Sequence, residues 1–155
     1  SMERRMTRII KNGALVPDLW KRVEAGAALP ADEAPLILPL PMWLARRGGR
    51  DPALTGVWLA PDDDPDALLP ALAELPVIAI HFPVFTDGRG YSLARLLRGR
   101  HGYAGELRAV GDVLRDQLYF LQRCGFDSFA LRADQPPDEA LAAFHDYSWA
   151  PLSGG

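Results

Sequence analysis

Apolar positions along this chain switch between two spacings. Near the N-terminus, TRIIKNGALVPD sets two short apolar runs around Asn12-Gly13. Both central residues of a type I′ turn need positive φ, which Asn and Gly tolerate, so residues 7–17 are expected to form a β-hairpin. DLWKRVEAGAALPADEAP then reads as an irregular connector. LILPL at 36–40 is a short buried-strand pattern, leading into a helical turn around PMWLARR that Gly48-Gly49 would stop.

From residue 56 a rhythm sets in. GVWLAP (56–61) predicts a strand, and DDDPDALLPALAEL a helix with Asp64 as N-cap and Pro65 at its first position. PVIAIHF (76–82) is nearly all apolar, as in a parallel strand covered on both faces. A helix over about 92–100 follows, then the strand ELRAVG (106–111). DVLRDQLYFLQRCG (112–125) predicts a helix capped by Asp112, with Val113, Leu114, Leu118, Leu121 and Cys124 on one face and Gly125 ending it. SFALR (128–132) is a further strand, and PPDEALAAFHDY a last helix. Strands alternating with helices over 56–146 predict an α/β fold. It would be a single domain over residues 1–155, its sheet mostly parallel and built from βα units. The chain is too short for an eight-unit barrel, which needs about 250 residues. An open three-layer sheet, or a part-barrel that dimerises, is expected. Residues 148–155 read as a loose tail, and Ser1-Met2 as a tag-cleavage remnant.

Composition narrows the chemistry. With 48% hydrophobic and 24% charged residues the chain is globular in type, and its net charge of −3 argues against general attraction to nucleic acid or anionic lipid. No apolar run approaches a membrane span and no signal-peptide pattern precedes the first strand, so a cytoplasmic protein is expected. A single cysteine, Cys124, excludes an internal disulfide or a CxxC redox pair. His81, His101 and His145 are scattered, and no protein-built metal centre is expected.

The stretch following strand 76–82 invites a closer reading, because parallel α/β sheets bind ligands outside the carboxyl ends of their strands. Asp87, Gly88, Arg89, Gly90 and Ser92 form a turn-rich loop there. Gly88 and Gly90 would let backbone N–H groups approach an anion, Arg89 could grip it with two parallel hydrogen bonds, and Ser92 could cap the next helix. The loop lacks the third glycine of a dinucleotide fingerprint. An ordinary turn followed by a Ser cap explains the same residues. Asp112 reads equally as a helix cap or a site acid. Arg108, mid-strand between apolar neighbours, must be paired if buried, with Asp112, Asp116 or Asp127 as the candidates and a ligand oxyanion as the alternative. His81 reads as a hydrogen-bonded core residue or a general base. Arg95, Arg98 and Arg100 read as a solvated helix face. The spacing defines no nucleophile, base and orienter set, and no cofactor.

The run FPVFTDGRGYSLARLLRGRHGYAGELRAVGDVLRDQLYFLQRCGFDSFALR resembles a bacterial family of unknown function, domain-of-unknown-function family 934. IIKNGALVPDLW and GVWLAPDDDP resemble it too, so the likeness covers nearly the whole chain. FTDGRGYS, GELRAVGDVL and RCGFD are its specific motifs. The family often has an acid where this chain has His81. Members are often described as probable oxidoreductases or as involved in sulfite reduction, with genes beside those for sirohaem sulfite/nitrite reductase and adenylylsulfate-type reductases. The resemblance implies a role in assimilatory sulfur metabolism. One expectation is an accessory protein that binds an oxyanion, or docks on a sirohaem sulfite reductase or another sulfur-assimilation enzyme. A small oxidoreductase using a flavin or nicotinamide is a second. A homodimeric scaffold is a third, prompted by Trp20, Trp43, Trp58 and Tyr119.

Overall fold

The computed structural model describes residues 8–30 and 33–148. Ser1-Met2 and residues 149–155 of the expected tail lie outside the described residues. The hairpin forms as expected: Arg8–Lys11 (β1) pairs antiparallel with Ala14–Pro17 (β2), with Asn12 at φ 52° and Gly13 at φ 78°. Those two positive values match the sense of the turn to the twist of its strands.

The connector is less irregular than expected. Lys21–Arg22 (β3) is a two-residue edge strand pairing parallel with Leu36–Pro39 (β4). Two charged residues carry no apolar periodicity, so only the neighbouring strand defines this one. Leu40–Arg46 (α1) passes into a 3₁₀ turn that includes Gly48 and Gly49. Thr55–Leu59 (β5) follows, then a 3₁₀ stretch over Pro65–Glu74. The Asp64 carboxylate accepts the Asp66 N–H at its start, as expected of a cap. It is no continuous α-helix: Pro70 has no N–H to give and its ring crowds the preceding turn, and Ala71 leaves helical geometry. Val77–Phe82 (β6), Arg89–Arg95 (α2), Glu106–Gly111 (β7), Leu118–Cys124 (α3), Ser128–Phe129 (β8) and Pro137–Ser148 (α4) follow among the described residues. A π-turn over Leu96–Arg100 prolongs α2.

The eight strands among the described residues join one mixed sheet, in the order β2-β1-β8-β7-β6-β5-β4-β3. From β3 to β8 the neighbours are parallel and consecutive, whereas β1 joins β8 antiparallel and β2 continues that edge. Consecutive order decides between the two expected architectures. Each crossover steps in the same direction, so right-handed connections put every helix on the same face. The result is a half-barrel rather than three layers. Its convex face carries the main core, where Leu38, Leu59, Ile78, Ile80 and Leu107 meet Trp43, Leu68, Leu97 and Leu121 from the helical side. The alternate strand positions face the concave side, where Ile37, Trp58, Val77, Ala79 and Val110 form a second, smaller cluster. Among the described residues no helix is long and apolar enough to cross a membrane.

Candidate functional site

The loop after β6 closes on itself. Arg89 donates from Nε and Nη2 to the two Asp87 carboxylate oxygens at 3.0 and 2.8 Å, and its backbone N–H also reaches Asp87. Those Arg89 hydrogen bonds hold the Asp87 carboxyl below its ordinary range. Gly88 has helical dihedrals, and α2 starts at Arg89 rather than near residue 92. Ser92 is therefore inside the helix, its N–H bonding Gly88 O, and caps nothing. Gly90 is buried, and a Cβ there would lie 2.5 Å from the Phe82 ring. Its smallness serves helix–strand contact.

Asp112 is not a helix cap either. Its N–H bonds Phe82 O at 2.8 Å, while its carboxylate accepts from Phe85 N–H and from Arg132 Nη1, both at 2.8 Å. Leu114 is extended, and the helical turns begin only at Arg115. Tertiary partners at two strand ends outbid the local cap. Gln117 joins the same junction, donating to Phe85 O at 2.9 Å and to the Tyr91 hydroxyl at 3.2 Å.

Arg108 is buried and paired, though with none of the three acids expected. Nε and Nη2 donate to Glu106 Oε2 at 3.0 and 2.8 Å, and Nη1 to Asp18 Oδ1 at 2.8 Å. Lys11 lies 3.2 Å from the other Glu106 oxygen. Burial pushes the Glu106 carboxyl up, but Arg108, the Ser128 hydroxyl and Lys11 together outweigh it and hold it below its usual range. Asp127 instead accepts from Leu107 N–H at 2.8 Å and faces Arg98 at 3.4 Å. Arg98 is no solvated residue: it also donates to the carbonyls of Tyr103, Gly105 and Gly125.

On the concave side, at the carboxyl ends of β7 and β8, a cleft of about 240 Å³ opens between Trp20, Ile37, Val110 and Ala130. Three arginines frame it: Arg22, Arg108 and Arg132. Arg22 stacks 5.2 Å from the centroid of Trp58, whose indole N–H is anchored on Val23 O at 2.8 Å. Arg132 is shared between Asp112 and Asp134. The arrangement is a polar end on an apolar body, built of guanidinium groups of which Arg108 and Arg132 are paired with carboxylates, with the Asp18 carboxylate among the lining.

His81 also faces this side, edge-on to Trp58 at 5.6 Å. Its Nδ1 is buried without a hydrogen-bond partner, so the expected hydrogen-bonded core histidine is not what forms at that atom. Burial, with Arg22 adding to it, pushes its pKa down and keeps the ring neutral at neutral pH. Of the aromatics that prompted a dimer reading, Trp43 and Trp58 are buried in the fold and Trp20 lines the cleft.

The sequence profile of DUF934, described as a bacterial protein of unknown function, matches residues 56–150. The chain belongs to this family. Well over half of its length is matched, and no curated protein matches it. The DUF934 span runs from within β5 through β8 and includes Arg108, Asp112 and Arg132, whereas Asp18, Trp20 and Arg22 precede it.

Of the seven residues singled out from sequence, the structure brings only Arg108 and Asp112 to the cleft, Arg108 on its wall and Asp112 behind Arg132. Asp87 and Gly88 stay on the loop and Arg89, Gly90 and Ser92 in the first turn of α2, the loop being linked to Asp112 through Phe85. Sequence reasoning missed Asp18, Trp20 and Arg22, because the connector that carries them has no periodicity. Gly111 and Arg132, the last residues of the strands predicted over 106–111 and 128–132, both line the cleft.

Proposed function

We propose that this protein is an accessory protein of assimilatory sulfite reduction that holds a small oxyanion in the concave cleft. The observation that carries this reading is the convergence of Arg22, Arg108 and Arg132 on one cleft at the carboxyl edge of the sheet. Guanidinium groups are weakly hydrated and match oxyanions with paired hydrogen bonds. Strand carboxyl ends are also where parallel α/β sheets take ligands. The cleft, at about 240 Å³, is smaller than the roughly 300–1,000 Å³ of pockets for drug-sized molecules, which favours a small anion over a flavin or nicotinamide. The link to sulfite reduction rests on the family resemblance of the motifs. The oxyanion supplies its chemical sense, since sulfite and sulfate are the anions of that metabolism.

The test is a thermal-shift and calorimetric screen with sulfite, sulfate, phosphate, NADPH and FMN. An anion at 100 times its dissociation constant should stabilise the fold by about 2.7 kcal/mol. Arg22→Gln and Arg132→Gln should weaken the response, and Arg89→Ala should leave it unchanged. No shift with any anion refutes the site; a shift with FMN or NADPH alone makes the protein a cofactor enzyme. Binding to purified sulfite reductase, measured in the same buffers, tests the partner.

A further inference from the structure

The Asp18-Leu19-Trp20 segment runs across the concave face. On one side of it is the arginine cleft, and on the other a second cleft of about 330 Å³. Trp20 and Arg108 line both, so the segment is the partition between them. Trp20 packs against the concave apolar cluster, and one ion pair adds a polar tie to the sheet: Asp18 Oδ1 accepts from Arg108 Nη1 at 2.8 Å, while also taking the Trp20 N–H at 3.0 Å. Leu19, at the crest, is 68% exposed and anchors nothing.

The two acids on Arg108 are not equivalent. Glu106 stands two residues away on the same strand, its side chain 7% exposed, and takes two of the guanidinium hydrogen bonds. Asp18 is more exposed, at 13%, and sits on a connector between β2 and the two-residue β3. A buried guanidinium cannot be left bare, since stripping one partner from such a pair costs several kcal/mol. Any departure of Asp18 therefore requires another anion at Nη1. Exchanging one carboxylate for a monoanionic oxyanion such as a sulfonate keeps the charge of the cluster balanced, whereas sulfate brings one negative charge more.

Building on the oxyanion reading above, we propose that Asp18 is an internal stand-in for the ligand. The bound oxyanion takes its place on Arg108 Nη1, releases the Asp18–Trp20 strap, and joins the two clefts into one larger site. The preferred ligand is then an oxyanion carried on a small apolar body, because the joined space extends over Trp20, Ile9, Val16 and Val110. Free anion occupies only its polar end. The strap makes affinity depend on how often Asp18 leaves: an apparent dissociation constant is the intrinsic one divided by the competent fraction.

The test compares the full chain with Asp18→Asn, which keeps the shape and removes the competing charge. Calorimetric titrations use sodium sulfite, sulfate, phosphate and benzenesulfonate, and hydrogen–deuterium exchange follows residues 18–22. Because Asp18 leaves a buried guanidinium only on the order of one time in a hundred or less, Asp18→Asn should bind about a hundred-fold more tightly. Benzenesulfonate should bind more tightly than sulfate. In the wild type, saturating anion should speed exchange over 18–22, the reverse of the protection a ligand ordinarily gives. That measurement needs no variant and stands if Asp18→Asn folds poorly. Unchanged affinity in the variant, or protection of 18–22 in the wild type, overturns the strap while leaving the oxyanion site intact. Absence of binding in both proteins overturns the site itself, and the strap with it.

Discussion

Asp112 and Arg132 meet at 2.8 Å, joining the end of β7 to the segment beyond β8, and the second Asp112 oxygen holds the Phe85 N–H of the loop after β6. One carboxylate thus fixes three chain segments at the mouth of the cleft. Asp112→Ala should cost about 1 kcal/mol, the usual net worth of such hydrogen bonds in a partly exposed setting. It should also speed hydrogen exchange at Phe85 more than at β6. Urea denaturation and exchange mass spectrometry check the two parts, and an unchanged Phe85 rate would mean that the loop is held elsewhere.

Arg108→Met should be the most damaging substitution on the concave face. It leaves the Glu106 carboxylate buried with only Lys11 and the Ser128 hydroxyl beside it, and breaking a buried pair from one side costs about 3–5 kcal/mol. Glu106→Gln combined with Arg108→Met should cost less than the two single changes added together, because the uncompensated charge is gone. A double-mutant cycle by chemical denaturation measures this.

Acid should weaken the fold through His81 before the carboxylates titrate. Its folded pKa lies below the ordinary value of 6.5, with burial the main cause and Arg22 the second. The unfolded chain therefore binds the proton more readily. The stability contributed by the neutral ring is present above the unfolded pKa and is lost as pH falls from there through the folded value. Unfolding free energies at pH 7.5, 6.5 and 5.5 should fall for the wild type and flatten for His81→Gln. An equal slope in both proteins would assign the effect to other groups.

Gly88→Ala and Gly90→Ala should differ in sign although they stand two residues apart. Gly88 has φ −72° and open space around its Cβ position, so alanine there should stabilise by about 0.4–1 kcal/mol through the unfolded chain. At Gly90 the added methyl meets the Phe82 ring, and overpacking of that kind costs about 1–3 kcal/mol. Melting temperatures of the two variants decide it. Equal effects would mean that the α2–β6 contact is looser than it stands here.

The sequence by itself determined the parts governed by local physics. Paired positive φ at Asn12-Gly13 set the hairpin, a nearly continuous apolar run marked β6, the Asp64-Pro65 start capped its helical stretch, and Gly125 at φ 118° ended α3. Alternation of strand and helix gave the class, and the motifs gave the family. What only the tertiary structure decided depends on residues far apart in the chain. Consecutive strand order put every helix on one face and so made a half-barrel. Asp112 left its helix to serve Phe85 and Arg132, and Asp87 took the fork of Arg89. Arg108 found Asp18 across 90 residues of chain. A buried guanidinium demands a partner, which the sequence could say; which carboxylate supplies it is fixed by how the sheet curves, and no spacing along the chain encodes that.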